Sequence, residues 1–207
     1  MISLFIDTSS YFLTVAIISD NKFLSLKQSI KGDTLSDNIF IYIKGCFDEA
    51  NVKPNDIDKI FVINGPGSFT GIRVGVTIAK TMAWALKIPV VPLSSLELLA
   101  TTPISKDIII PYIDARRGYV YGAIYDSNLE AIFSGKHIYI DNLLKMIPIN
   151  KTYDFVSYDD LTEHIEPKID ILRLIDRHKD DLPINPHLLN PNYLKNTEAE
   201  ENLNKHD

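Results

Sequence analysis

The chain opens with an apolar run at residues 2–7 that ends on Asp7, the pattern of a strand buried on both faces. Thr8-Ser9-Ser10 is turn chemistry. Residues 11–19 and 23–30 read as two further strands joined by the polar turn Asp20-Asn21-Lys22. Gly32-Asp33-Thr34 then breaks the alternation, and the period changes. Leu35, Ile39, Tyr42, Ile43, Cys46 and Ala50 fall on one face of a helix over 35–50, with Thr34 or Ser36 as its cap. Residues 53–56 read as a loop and 59–64 as a fourth strand. A glycine-rich segment follows, then a long helix to about residue 86 with Ile72, Val76, Ala79, Ala83 and Leu86 on one face. Residues 88–91 predict a short strand, and Ser94 starts a helix through Leu99.

Three strands followed by helix, strand, helix and strand describe a mixed sheet with helices packed on it. The pattern then partly restarts, with strands at 108–113, 119–125 and 136–140 and a helix at 141–147. The expected organisation is an N-terminal lobe at 1–102, a smaller lobe at 103–197 and a disordered tail at 198–207, with the seam in the loop-like stretch 100–107.

Composition narrows the function. A formal net charge of -6 argues against a broad basic face that holds nucleic acid by neutralising phosphates. The single cysteine, Cys46, excludes an internal disulfide and a multi-cysteine metal site, and its place on an apolar helix face predicts a buried thiol. The first residues carry no basic region of a signal peptide, and no run approaches the roughly 18 apolar residues of a membrane span. A soluble, cytoplasmic protein with no membrane contact is expected.

The segment Gly65-Pro-Gly-Ser-Phe-Thr-Gly-Ile-Arg-Val-Gly75 lies between a predicted strand and a helix. Such a junction aims free backbone N–H groups and the positive end of the helix dipole at whatever sits above it. Gly65 and Gly67 allow positive φ or a close ligand approach. Ser68 and Thr70 offer hydroxyls, and Arg73 adds a forked charge. A phosphate turn is therefore one reading, although neither the Walker A ending nor the dinucleotide spacing is present. The other reading is packing: Gly71, Gly75 and Ala79 recur every four residues and strip one helix face of bulk, so a second helix can approach within the chain or across an interface.

These eleven positions closely resemble the signature of the bacterial TsaB (YeaZ) family, relatives of the TsaD glycoprotease superfamily. Leu4-Phe-Ile-Asp-Thr-Ser-Ser10, the stretch 88–100, Tyr112-Ile-Asp-Ala-Arg-Arg-Gly-Tyr-Val-Tyr121 and Asn190-Pro-Asn-Tyr-Leu-Lys195 resemble other family segments in the same order. The resemblance is good over 1–125 and weaker over 126–185. It implies an actin-like, ribonuclease-H-type α/β fold in two lobes with mixed five-stranded sheets, the second lobe reduced. It implies a non-catalytic partner of the threonylcarbamoyl-transferase TsaD, acting with the ATPase TsaE in making threonylcarbamoyl-adenosine beside the tRNA anticodon, with tRNA reached indirectly. Pairing is expected through helices of the first lobe, at Gly71, Val74, Gly75, Ile78, Ala79, Met82, Ile39 and Ile43. The same face could form a homodimer when TsaD is absent.

Candidate nucleotide or anion residues are Asp7, Thr8, Ser9, Gly65, Gly67, Ser68 and Arg73 at the first lobe's sheet tip and Asp114, with Arg116 and Arg117, at the second. ATP or ADP is expected only at an interface with partner subunits. No metal pair is expected, because Ser94-Ser-Leu-Glu-Leu-Leu lacks the histidines that TsaD carries there and the five histidines show no close ligand spacing; His164 and His178 read as surface residues. The rival readings are an actin-like ATPase or kinase and a peptidase acting on the sister subunit.

Overall fold

The computed structural model describes residues 1–29 and 35–194. Thr34, Lys195 and the expected tail at 198–207 lie outside the described residues. The chain divides into two units: Met1–Leu98 with Asp170–Pro191, and Leu99–Ile169 with the described residues 192–194. The expected second lobe at 103–197 is therefore interrupted, because Asp170–Pro191 returns to the first unit.

The first unit is built on β1 (Ile2–Asp7), which pairs antiparallel with β2 (Thr14–Ser19) and parallel with β4 (Lys59–Gly65). With β3 (Lys22–Gln28) and β5 (Val90–Ser94) the sheet order is β3-β2-β1-β4-β5. Leu4, Phe5 and Ile6 are all fully buried, as an uninterrupted apolar run in a central strand requires. Leu4, Ile6, Val15, Ile17, Ile60 and Val62 share one core cluster with Ile39 and Ile43 of α1 (Leu35–Ala50) and Ile72, Val76 and Ala79 of α2 (Phe69–Leu86). Alternate strand residues thus meet the apolar stripes of two helices, as the change of period from two to 3.6 foretells. Cys46 sits in this cluster, and burial pushes its thiol pKa up.

Two strand limits differ from the sequence reading for local reasons. Strand β2 begins at Thr14 because residues 10–13 are held as a turn: the Ser10 hydroxyl accepts from Phe12 N and the Ser29 hydroxyl from Leu13 N. Strand β5 begins at Val90 because Ile88 N still bonds to Ala83 O at the end of α2, and Pro89 has no N–H for a ladder.

The second unit contains β6 (Ile108–Asp114), β7 (Tyr119–Asp126), β8 (Ala131–Tyr139), α4 (Ile140–Leu144) and β9 (Tyr153–Val156), preceded by α3 (Ser95–Ala100) at its border with the first unit. Its sheet order is β8-β7-β6-β9, with β9 parallel to β6. Among the described residues this sheet has four strands, a reduction of the expected five-stranded form. Past β9 the chain makes a single bridge, Val156 to Ile165, and then runs through Glu166-Pro167, where proline cannot donate to a ladder. The amphipathic helix α5 (Ile171–His178), missed in the sequence, buries Ile171, Leu174 and Ile175 and is capped by Asp170, which accepts from Arg173 N at 2.9 Å.

Candidate functional site

The turn after β1 and the turn before α2 close onto each other. Thr8 donates its hydroxyl to Gly71 O at 2.7 Å, and Ser68 N donates to Ser9 O at 2.8 Å. Asp7 is buried and turned to its own chain: its Oδ1 accepts from Ser9 N at 2.8 Å and from Ser9 Oγ at 2.7 Å. Burial raises the Asp7 pKa, against the lowering effect of the two Ser9 bonds.

The glycines explain how the approach is possible. A Cβ at Gly71 would stand 2.0 Å from Thr8 O, and one at Gly67, where φ is +153°, would stand 2.2 Å from Ser9 O. One at Gly75 would reach the Thr8 hydroxyl at 2.3 Å. Gly65 also has a positive φ and precedes Pro66 through a cis peptide. The Ser68 hydroxyl caps α2 by accepting from Gly71 N, and Ile72 N bonds to Ser68 O. Ser95 of α3 donates its hydroxyl to Pro66 O, so the loop is held from a second side.

Part of the expected anion cradle is thus engaged internally: the amides of Ser68 and Gly71 have partners within the chain. Arg73 is exposed and lies over the Phe69 ring, 3.9 Å from its centroid. Asp114 belongs to the second unit. There its backbone N–H donates to Asp159 at 2.8 Å, while its carboxylate accepts from Arg116 N at 2.7 Å and pairs with the Arg116 guanidinium at 3.4 Å.

The expected partner face needs a correction. Gly71, Gly75, Ile78, Ala79, Ile39 and Ile43 are buried in the first unit, and the half-buried Val74 and Met82 pack on the same core. The small-residue face is filled by Thr8 of the chain itself, because the turn after β1 crosses α2 there. The two helices instead present apolar side chains that the periodicity alone did not select: Phe40 and Ile41 on α1, 67% and 65% exposed, and Phe69 and Trp84 on α2, 56% and 63% exposed. Trp84 borders an apolar groove of about 730 Å³ with Ile88, Pro89 and Pro186.

The two histidines expected at the surface are also placed differently. His178 lies between Glu97 and Asp181, its Nε2 2.9 Å from Glu97 and its Nδ1 2.6 Å from Asp181. The Glu97 hydrogen bond raises its pKa. His164 packs edge-on against the Tyr112 ring. Among the described residues, no group of three or more His, Cys, Asp or Glu is placed to hold a metal ion, and no helix is long and apolar enough to cross a membrane.

Residues 30–159 match the family model described as "TsaD: tRNA N6-adenosine threonylcarbamoyltransferase". The "tRNA threonylcarbamoyladenosine biosynthesis protein TsaB" of Bacillus subtilis is 36% identical over 151 residues, which are 71% of this chain and 66% of that protein. The protein of the same name from Buchnera aphidicola subsp. Schizaphis graminum is 31% identical over 156 residues, 74% of this chain and 71% of its own. The chain belongs to the TsaB (YeaZ) family. Its match thus spans just under two thirds of the length of the Bacillus subtilis relative. YeaZ from Pseudomonas aeruginosa superposes with a TM-score of 0.73 at 19% identity, over 93% of this chain and 99% of that one. The mixed α/β architecture with two sheets that the TsaB resemblance implies is the one observed, it is the fold of that YeaZ structure, and the second sheet has four strands among the described residues.

Proposed function

We propose that the chain is a non-catalytic activator and scaffold subunit in tRNA threonylcarbamoyladenosine biosynthesis. It would partner TsaD, with TsaE, in the transfer of the threonylcarbamoyl group from threonylcarbamoyl-AMP to N6 of the adenosine beside the anticodon. The observation that carries this reading is the identity to curated TsaB proteins across most of the chain.

The geometry of the glycine loop supports an accessory role. A catalytic carboxylate must reach its substrate, whereas Asp7 is sealed and bonded to Ser9. An adenine nucleotide, in this reading, is held at an interface with the partners rather than in the internally engaged loop. Pairing with TsaD uses the exposed apolar residues of α1 and α2, Phe40, Ile41, Phe69 and Trp84, with Val74 and Met82 at its margin. The same surface serves self-association when TsaD is absent.

Reconstitution of the modification from TsaD, TsaE, tRNA and threonylcarbamoyl-AMP, with and without this chain, tests the proposal. Modified tRNA should accumulate only when the chain is present. Full activity of the other components alone would end the activator reading, and cleavage of TsaD by the chain would replace it with the peptidase reading.

A further inference from the structure

We propose that the β6–β7 turn and the adjoining β7–β8 ribbon form a stacking site for unpaired nucleotides of a single-stranded nucleic acid. This goes beyond the function above, in which tRNA is reached only through the partner subunits.

Tyr119 and Tyr121 of β7 lie opposite Tyr139 and His137 of β8. The Tyr119 and His137 rings are stacked, 4.8 Å apart and 5° from parallel, while Tyr139 meets Tyr119 edge-on at 5.5 Å and Tyr121 lies 5.4 Å from His137. Residues of the opposite parity, Val120 and Ile138, belong to the core of the second unit, so the ring cluster is on the ribbon's other face. Tyr119 and Tyr139 are 42% and 40% exposed. Tyr119 and Tyr139, the exposed members of this ring cluster beside an edge strand, offer aromatic surface that suits a base.

The turn places charge beside the rings. Arg116 and Arg117 occupy the left-handed region at φ 71° and 56°, where Gly or Asn would be less strained. Gly118 follows, so close to Tyr139 that a Cβ there would stand 2.5 Å from its ring. Both arginines are exposed, and only the Arg116 guanidinium pairs with Asp114. Two exposed arginines in a strained turn that leads directly into Tyr119 offer guanidinium groups to the phosphate of a base stacked on that ring. Two arginines in a chain of net charge -6 cannot grip a duplex, so the occupant is a short unpaired stretch.

Fluorescence anisotropy on the isolated chain tests the site with an unstructured RNA of about ten nucleotides, the same RNA annealed to its complement, and the equivalent DNA. The single-stranded RNA and the equivalent DNA should bind comparably and both more tightly than the annealed RNA, with a shallow salt dependence. Tyr119→Ala should weaken this binding about tenfold, whereas Tyr119→Phe keeps the affinity. Arg117→Ala should flatten the salt slope by about the 0.7 expected for one single-strand phosphate, and it keeps the test valid if Tyr119→Ala proves unstable by thermal unfolding. Equal affinity for the duplex, or unchanged binding by both Tyr119→Ala and Arg117→Ala, would overturn the proposal. Because TsaD is absent from the assay, that result would leave the activator reading standing.

Discussion

Two turns end comparable strands in the two units and are built in opposite ways. At the tip of β4, residues 65–71 fold inward: glycines admit the Thr8-Ser9 backbone, and hydroxyls and amides bond within the chain. At the tip of β6, residues 114–119 turn outward, with arginines where glycine would be easier and tyrosines exposed beside them. The glycine-rich turn admits a ligand reading and a packing reading in sequence, and in the structure the chain packs on itself there. The arginine turn, also a candidate anion site in sequence, keeps both arginines exposed. A glycine marks a close approach, and the structure must say whether a ligand or the chain itself makes it.

This contrast can be broken by substitution, and the largest effect is expected in the first turn. Gly71→Ala drives a methyl into Thr8 O with no flexible side chain to give way, and should destabilise the protein by about 3 kcal/mol in urea unfolding. A loss below about 1 kcal/mol would mean that the turn is looser than its contacts imply. Thr8→Val keeps the shape and removes the buried hydroxyl bond to Gly71 O, for a loss of about 1.5 kcal/mol by the same measurement.

The third prediction concerns the support behind that turn. Ser95 of α3 holds Pro66 O, and Glu97 of α3 takes the His178 and Arg177 contacts from α5. The folded-state pKa of His178 is raised, so its contribution is complete below the unfolded value of about 6.5 and is lost as pH rises through the folded value. His178→Gln should therefore cost roughly 1 kcal/mol at pH 5.5 and much less at pH 9, and a pH-independent cost would remove the charged histidine from the account. The smallest effect has the opposite sign. Arg117→Gly relieves a left-handed residue and should stabilise the second unit by roughly 0.5 kcal/mol, read as a higher unfolding midpoint. Glycine is thus expected to be favoured in the second turn, as alanine is disfavoured in the first.

Much of the first unit was legible because its signals are local. The run at Ile2–Asp7, the shift from alternation to helical spacing at α1 and the strand-glycine-helix junction each lie within one window of sequence. The second unit was read less fully. Strand β9 is four residues long and α5 eight, too short for periodicity to separate from coil, and α5 packs in the unit it does not adjoin in sequence. The small-residue stripe on α2 was read as open to a second helix for a related reason. A stripe of small residues shows that something approaches, but Thr8 lies 63 residues from Gly71, and no spacing rule connects them.

Sequence by itself determined the family, the order of most elements and the location of the glycine junction, because these depend on residue identity and short-range period. Tertiary structure alone decided what fills that junction, which helix residues remain exposed and which rings gather beside Arg116 and Arg117. Those outcomes depend on contacts between distant segments, and burial of a side chain is settled only when the chain has closed around it.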